Sequence, residues 1–595
     1  MLNKKYYKGS DLYSDGDVEN DILKIVREGK DPEKAIAEDS RWPILYHLTS
    51  TRENLLEWIP FEKNASLLEI GAGCGALTGL LCEKLGKVTA VELSARRAEI
   101  TNERLKDKKN LEIYAGNLSD IEFGEKFDYI TLIGVLEYAG KYKNSKNPYM
   151  DFLKDVKKLL KDDGTLIIAI ENKFGMKYFS GAREDHTGAA FDGIQGYTRS
   201  DVRTFGKNEL ISLLKSSGYG ESHFYYPMPD YKLPGVIFSD FRPPKIGEIG
   251  RTFSNFDRDK VSVFSECLGF ENAVNSGEFG FFANSFLVFC GKKPAIDFVK
   301  YNNLRMPAFQ AATEIMSGGA ASTKRSLRGD GEKHISRIVQ NFSKLGENHG
   351  DFKIAGCRFE AGKAVFEYIE GRSLDELLYE NAVKRDKNGF FGLLAEFKKN
   401  FDSLDRSKIS NFKADVGFTE IFGDTAIDFD FDSFKVSDID IIFDNIIVKD
   451  GAQVLIDYEW VFETVLPVNY ILFRSIFTFW NKYVEHLDGF VTPEEIFNFF
   501  GIAFKEIPFY GQMERKFQAF VHDQPRLSNL AGFQKRRDEI KIYDMVKHSG
   551  YLETRVKALN MEMEKTRKLI CEKEDIIEKL RVELDGMKKQ PEKTA

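Results

Sequence analysis

Residues 67–75 read LLEIGAGCG, and residues 88–92 read VTAVE. The pattern is a buried strand, a glycine-rich turn, a helix, and a second strand that ends on an acid. Gly71, Gly73 and Gly75 let the backbone turn sharply and approach a ligand, because no Cβ stands in the way. Glu92, at the tip of the second strand, sits where a carboxylate can accept hydrogen bonds from two ribose hydroxyls. This is the plan of a nucleotide-type cofactor site, although the glycines alone read equally as a tight strand-to-helix turn.

Neighbouring segments extend the plan. Glu69 stands two residues before the first glycine, where a dinucleotide fold carries a small or apolar residue. FDYITLIGVLEYA (127–139) supplies the strand beside the first, and TLIIAIEN supplies the next one after Asp163-Gly164. Strand and helix signals alternate from Val88 to Asp163, which predicts an α/β, Rossmann-like, doubly wound parallel sheet with helices on both faces. On these residues the chain resembles the class I S-adenosylmethionine (SAM) methyltransferases over residues 41–295. The resemblance implies that Glu69, Gly71, Gly73 and Gly75 wrap the methionine end of SAM and that Glu92 holds its ribose. It also implies that Asn117, where the family usually has Asp, lies against the adenine.

A chain of 595 residues is too long for one core, and 42% hydrophobic with 13% aromatic content supports several folded domains. The net charge of −8 gives no electrostatic case for nucleic acid as a partner. The six cysteines lack any C-x-x-C pair, so neither a disulfide framework nor a zinc site is indicated, and a cytoplasmic setting is expected. The N-terminus has no apolar run of signal-peptide type, and residues 1–40 read as a polar segment with one short helix. With no apolar stretch long enough to span a bilayer, membrane contact is expected to be peripheral at most, at the inner face.

The acceptor side is expected at the strand ends. Glu137-Tyr138 closes the strand begun at Phe127, facing the place of the transferable methyl, though Glu137 reads equally as a solvated loop acid. Residues 171–197 combine glycines, aromatics and charges just after a strand end, where open sheets bind substrate. Within them, Asp185-His186 reads either as a carboxylate-oriented base or as a loop whose histidine caps a backbone group. HFYYPMPDYKLP (223–234) is expected to wall the same pocket, and FGFFANSFLVFCGKK (279–293) to be the strand that closes the sheet.

A different signature follows. In SDIDIIFDNIIVKDGAQVLIDYEW (437–460), Asp440 precedes Asn445, then two short strands around a KDG turn, the second ending at Asp457. Phosphoryl transfer needs such a set, one carboxylate at the acceptor hydroxyl and an amide oxygen with a second carboxylate on magnesium. Residues 300–540 thus resemble the aminoglycoside-phosphotransferase branch of the protein-kinase-like fold, which implies an α+β bilobal domain. By that resemblance Asp440 is the catalytic base, Asn445 and Asp457 hold Mg2+, and Lys324 and Glu332 form the strand-lysine and helix-acid pair that serves ATP. Asp438-Ile439 stands where the family has His-Gly, and an acid-rich β-hairpin is the plainer reading.

From Leu552 the apolar residues recur every seven: Leu552, Val556, Leu559, Met563, Ile570, Ile577, Leu580, Leu584 and Met587, with Thr566 and Lys573 on the same seam. This predicts a coiled coil over residues 550–590, and with it a homo-oligomer or a docked partner. The order of parts resembles the bifunctional kinase-methyltransferases that end the growth of bacterial cell-surface polysaccharides. That resemblance implies a glycan or sugar-phosphate acceptor, O-methylation, and a glycosyltransferase partner. Two other readings stay open: a methyltransferase with an inactive kinase-like module, and a coiled-coil scaffold without catalysis.

Overall fold

The computed structural model describes residues 2–9, 11, 13–198, 200–249, 258, 260–346, 348–425, 427–528 and 539–588. Its main sheet is built from β1 (Leu2–Asn3), β2 (Ser66–Ile70), β3 (Lys87–Glu92), β4 (Leu111–Ala115), β5 (Phe127–Ile133), β6 (Leu160–Glu171), β7 (Ser222–Met228), β8 (Val236–Ser239), β9 (Ser285–Cys290), β10 (Ile296–Tyr301), β11 (Ala311–Met316), β12 (Ser322–Ser326), β13 (Cys357–Glu360) and β14 (Lys363–Phe366). Among the described residues the order is β1-β4-β3-β2-β5-β6-β9-β7-β8-β10-β11-β12-β14-β13.

From β1 to β6 the pairing is parallel, as the alternating pattern predicts. Successive residues serve opposite faces. Leu68, Ile70, Ile130 and Ile168 pack on one side of the sheet, and Leu67, Val88, Ile113 and Ile167 on the other. Strands covered on both faces must carry near-continuous apolar runs, which is why these segments do not alternate with polar residues. Glycine at the end of β2 permits the positive φ of the turn, and Ser94 caps the next helix, Ala95–Arg104, by accepting from the Arg97 amide.

The structure corrects the expected last strand. Residues 279–293 begin as a short helix, Phe279–Phe282, and then form β9, which runs antiparallel between β6 and β7. All six residues of β9 are buried, so it has no place at an edge. The sheet also runs through the boundary expected near residues 295–300: β8 pairs with β10 at Val299↔Ile237 and Lys300↔Val236. An edge left at β8 would expose unpaired backbone groups, and β10 supplies their partners.

Beyond β10 the strands are antiparallel and carry the helix Glu332–Leu345. A mostly helical part follows, whose core includes Leu378, Phe397, Ile471 and Phe517. Residues 2–38 hold more than one short helix. β1 extends the sheet beside β4, and the helices Val18–Arg27 and Pro32–Glu38 contribute Val18, Ile22 and Ala35 to a small core with Cys74 and Ile100.

Ile542–Lys588 is one helix. The seam residues Leu552, Val556, Leu559, Met563, Ile570, Ile577, Leu580 and Leu584 are all about half exposed on it. Residues 589–590 of the expected coiled coil, and the side chain of Met587, lie outside the described residues. No helix among the described residues is long and apolar enough to cross a membrane.

Candidate functional site

The turn after β2 is held by its neighbours. Gly71, Gly73 and Gly75 all adopt positive φ, at 80°, 58° and 75°. Glu92 is buried and spends one oxygen on the Gly73 amide at 2.8 Å and the other on the Ser94 amide at 2.9 Å. Each oxygen keeps a further lone pair for a hydroxyl. Burial pushes the Glu92 carboxyl above its ordinary range, opposed by Arg97 and by these two amides. Glu69 is buried behind the turn and accepts from Thr78 Oγ1 at 2.6 Å; burial pushes it up to about 7.

Two cavities meet at this turn. The first, about 490 Å3, is lined by Glu92, Gly116, Asn117, Ile121, Val135 and Phe152 among others, a volume suited to a nucleoside-sized ligand. Asn117 lies at its wall, its carboxamide oxygen accepting from Ser119. The second, about 200 Å3, is lined by Glu69, Gly73, Glu137, His186, Tyr231 and Lys232 among others. Gly71, Gly134, Tyr138 and Arg97 border both. A Cβ at Gly73 would meet nothing within 4 Å, so the backbone there borders open space, while its amide is held by Glu92. A ligand with an adenosine end and an amino-acid end fits this pair of spaces.

The second cavity is strongly charged. Glu137 is wholly buried rather than a solvated loop acid, and burial pushes it up to about 8. His186 stands beside it, but Asp185 does not orient it. Asp185 pairs with Lys177 at 3.0 Å and with Lys232. The partners of His186 are Tyr138 Oη, 3.1 Å from Nδ1, and Glu171 Oε2, 3.3 Å from Nε2. Burial pulls the imidazole pKa down, and Glu171, Glu137 and Glu184 outweigh it to raise the group to about 9. Tyr231 and Lys232 lie in the segment 223–234 expected to wall this pocket, and Glu171 opens the segment 171–197, whereas nothing in the sequence singles out Tyr13. Tyr13 comes from the N-terminal segment, reaches Tyr138 Oη at 3.2 Å and lies under the Arg97 guanidinium, which is fixed by Glu19 and Asp15 at 2.7 Å each.

The kinase-like residues gather elsewhere. Lys324 on β12 donates to Asp457 at 2.6 and 2.9 Å and to Glu459 at 2.7 Å. Asn445 donates to the Asp440 carbonyl at 3.0 Å, and Asp440 Oδ2 accepts from the Trp460 amide at 2.8 Å. Burial, with Asp457 close by, pushes Asp440 up to about 6. Glu332 is not the partner of Lys324. It opens its helix on the exposed side, while His334, two residues on and buried on the other side, meets Glu459 at 2.5 Å.

Comparison with known proteins bears on the first of these sites. A family model described as Methyltransferase domain matches residues 68–166. An uncharacterized methyltransferase of Staphylococcus carnosus (strain TM300) is 36% identical over 102 residues, which covers 17% of this chain and 45% of that protein. Ribosomal RNA small subunit methyltransferase A of Borreliella afzelii (strain PKo) is 33% identical over 86 residues, 14% of this chain and 31% of that protein. Among solved structures, phosphoethanolamine N-methyltransferase 1 of Haemonchus contortus is 17% identical, covers 36% of this chain and 45% of its own, and has a TM-score of 0.25. The chain spans less than half the length of these curated relatives. Residues 68–166, from β2 to the start of β6, therefore carry the sequence pattern of a methyltransferase domain.

Proposed function

We propose that this protein is a SAM-dependent methyltransferase that O-methylates a sugar or sugar phosphate in bacterial cell-surface polysaccharide assembly, and that residues 300–540 serve it as a phosphotransferase. The observation that carries the reading is the junction of the two cavities at Gly71 and Gly134, with Glu92 in one and Glu137 and His186 in the other. SAM, when bound, supplies an electrophilic methyl group. Glu92 and Asn117 would hold its nucleoside, and the glycine turn would wrap its amino-acid end. Tyr138 and Glu137 border the place where an acceptor oxygen must be aligned, and the cover of Tyr13 excludes water. An acceptor hydroxyl has to lose its proton within this buried group, whereas a phosphate oxygen is already anionic.

The convergence of Lys324, Asp440, Asn445 and Asp457 favours the phosphotransferase part over an inactive module. The test is incubation of the full chain with labelled SAM and ATP against extracted surface glycan, followed by mass analysis. Methyl and phosphoryl label on the glycan terminus supports the reading, and absence of methyl label from every glycan fraction overturns it.

A further inference from the structure

We propose that Glu137, Glu171 and His186 form a binding site for one divalent first-row metal ion of the Mn2+ or Zn2+ class. The three come from the end of β5, the end of β6 and the loop after it, and one donor atom from each lies within 4.8 Å of the others. His186 Nε2 is 3.3 Å from Glu171 Oε2 and 3.9 Å from Glu137 Oε1. Ligands at about 2.1 Å from one ion stand roughly 3.0–3.5 Å apart, so the two distances from Nε2 lie within that range or a few tenths of an ångström beyond it.

Glu137 points to a missing partner. It is 0% exposed, and among the described residues neither carboxylate oxygen has a hydrogen-bond partner. Buried carboxylates of this kind are retained when paired or when they coordinate a metal. The charge around them agrees. Glu137, Glu171, Glu184, Asp185 and Asp230 gather around Lys177, Lys232 and His186; the lysines are committed to Asp185, Asp230 and Glu171 at 2.6–3.3 Å where the contact is not shorter, and Glu137 meets the imidazole at 3.9 Å.

The histidine is set up as a ligand. Its Nδ1 is engaged by Tyr138 Oη, and its Nε2 faces the two carboxylates, where an ion would displace the proton shared with Glu171. Metal-bound histidines characteristically have their other nitrogen fixed in this way. Two carboxylate oxygens and one imidazole suit Mn2+ or Zn2+ better than Ca2+. Glu137 and His186 line the cavity beside Gly71 and Gly134, so open coordination positions face that space. There the ion would hold an acceptor oxygen and offset the negative wall that repels a phosphate. This role rests on the methyl-transfer reading, while the binding of the ion does not.

The experiment uses the full chain, stripped of metal by a chelator and titrated with Mn2+ alone, with free and bound ion read by electron paramagnetic resonance. Expected is one bound ion with a 14N coupling from a coordinated imidazole. That coupling separates this site from Asp440, Asn445 and Asp457, which present only oxygen. Glu137→Gln and His186→Ala each weaken uptake at least tenfold, and His186→Ala abolishes the 14N signal. Circular dichroism spectra of Glu137→Gln and His186→Ala that match the wild type report folding separately from ion uptake. Absence of Mn2+ and Zn2+ uptake at this site, or undiminished uptake with the 14N signal in both variants, overturns the proposal. Loss of SAM binding by the wild-type chain would instead remove the methyltransferase reading.

Discussion

A Cβ placed on Gly71 would lie 2.4 Å from Val135 Cγ2, so the turn after β2 and the end of β5 are packed against one another with no room for a side chain. Gly71 also has a φ of 80°, which an L side chain rarely adopts. Gly71→Ala is expected to cost about 3 kcal/mol of stability through clash and strain together, and to move the turn away from both cavities. Urea unfolding and calorimetric titration with SAM check the two effects. Gly29→Ala is the control: its φ is also positive, at 63°, but a Cβ there meets nothing within 4 Å, and it should leave SAM affinity unchanged.

Glu69 gives a pH dependence with a defined sign. Burial raises its carboxyl from an ordinary 4.5 to about 7, so the folded protein binds this proton more tightly than the unfolded chain does. The resulting cost to stability is full above pH 7 and fades as pH falls toward 4.5. The stability of the wild type relative to Glu69→Gln should therefore rise by roughly 2 kcal/mol between pH 8 and pH 5. Paired denaturation curves across that window measure it, and a flat difference would contradict it.

Arg325 on β12 ties the two halves of the long sheet together. Its guanidinium pairs with Glu57, ahead of β2, and with Glu314 on β11 at 2.6 Å. Removing it leaves Glu314, 1% exposed at its side chain, with Lys363 and the Thr323 hydroxyl on one oxygen and takes the partner from the other. Arg325→Met is expected to destabilise the chain by about 3 kcal/mol, with both halves affected in one transition. Differential scanning calorimetry reads both features.

The second site separates from the first by mutation. Asp440→Asn should lower phosphoryl transfer by about 10²-fold or more and leave methyl transfer unchanged, as for a lost general base. Asp457→Ala should abolish Mg2+-dependent ATP binding. Glu332→Ala should change neither, because Glu459 and not Glu332 meets Lys324. Steady-state rates with labelled ATP and labelled SAM on the same preparations test this division.

Local backbone chemistry made part of this molecule legible. Gly71, Gly73, Gly75 and Glu92 could be read because a turn at positive φ and an acid at a strand tip are written within a few consecutive residues. The position of β9 could not, because nothing in its apolar run records which strands it lies between. The family resemblance pairs Glu332 with Lys324, yet the pitch of the helix turns His334 inward instead. Tyr13 and Lys232 meet at one cavity from segments far apart in the chain, and no local pattern records that meeting. His186 could be singled out, but its carboxylate partner proved to be Glu171 on β6 and not its sequence neighbour Asp185.

The central claim is that the turn after β2 and the carboxylate of Glu92 form a SAM site. Isothermal titration of the full chain with SAM, alongside Glu92→Ala checked for retained fold by circular dichroism, tests it most directly. One site of micromolar affinity in the wild type, weakened at least tenfold in the folded variant, is the predicted result. Absence of binding by the wild type, or equal binding by both proteins, would contradict it.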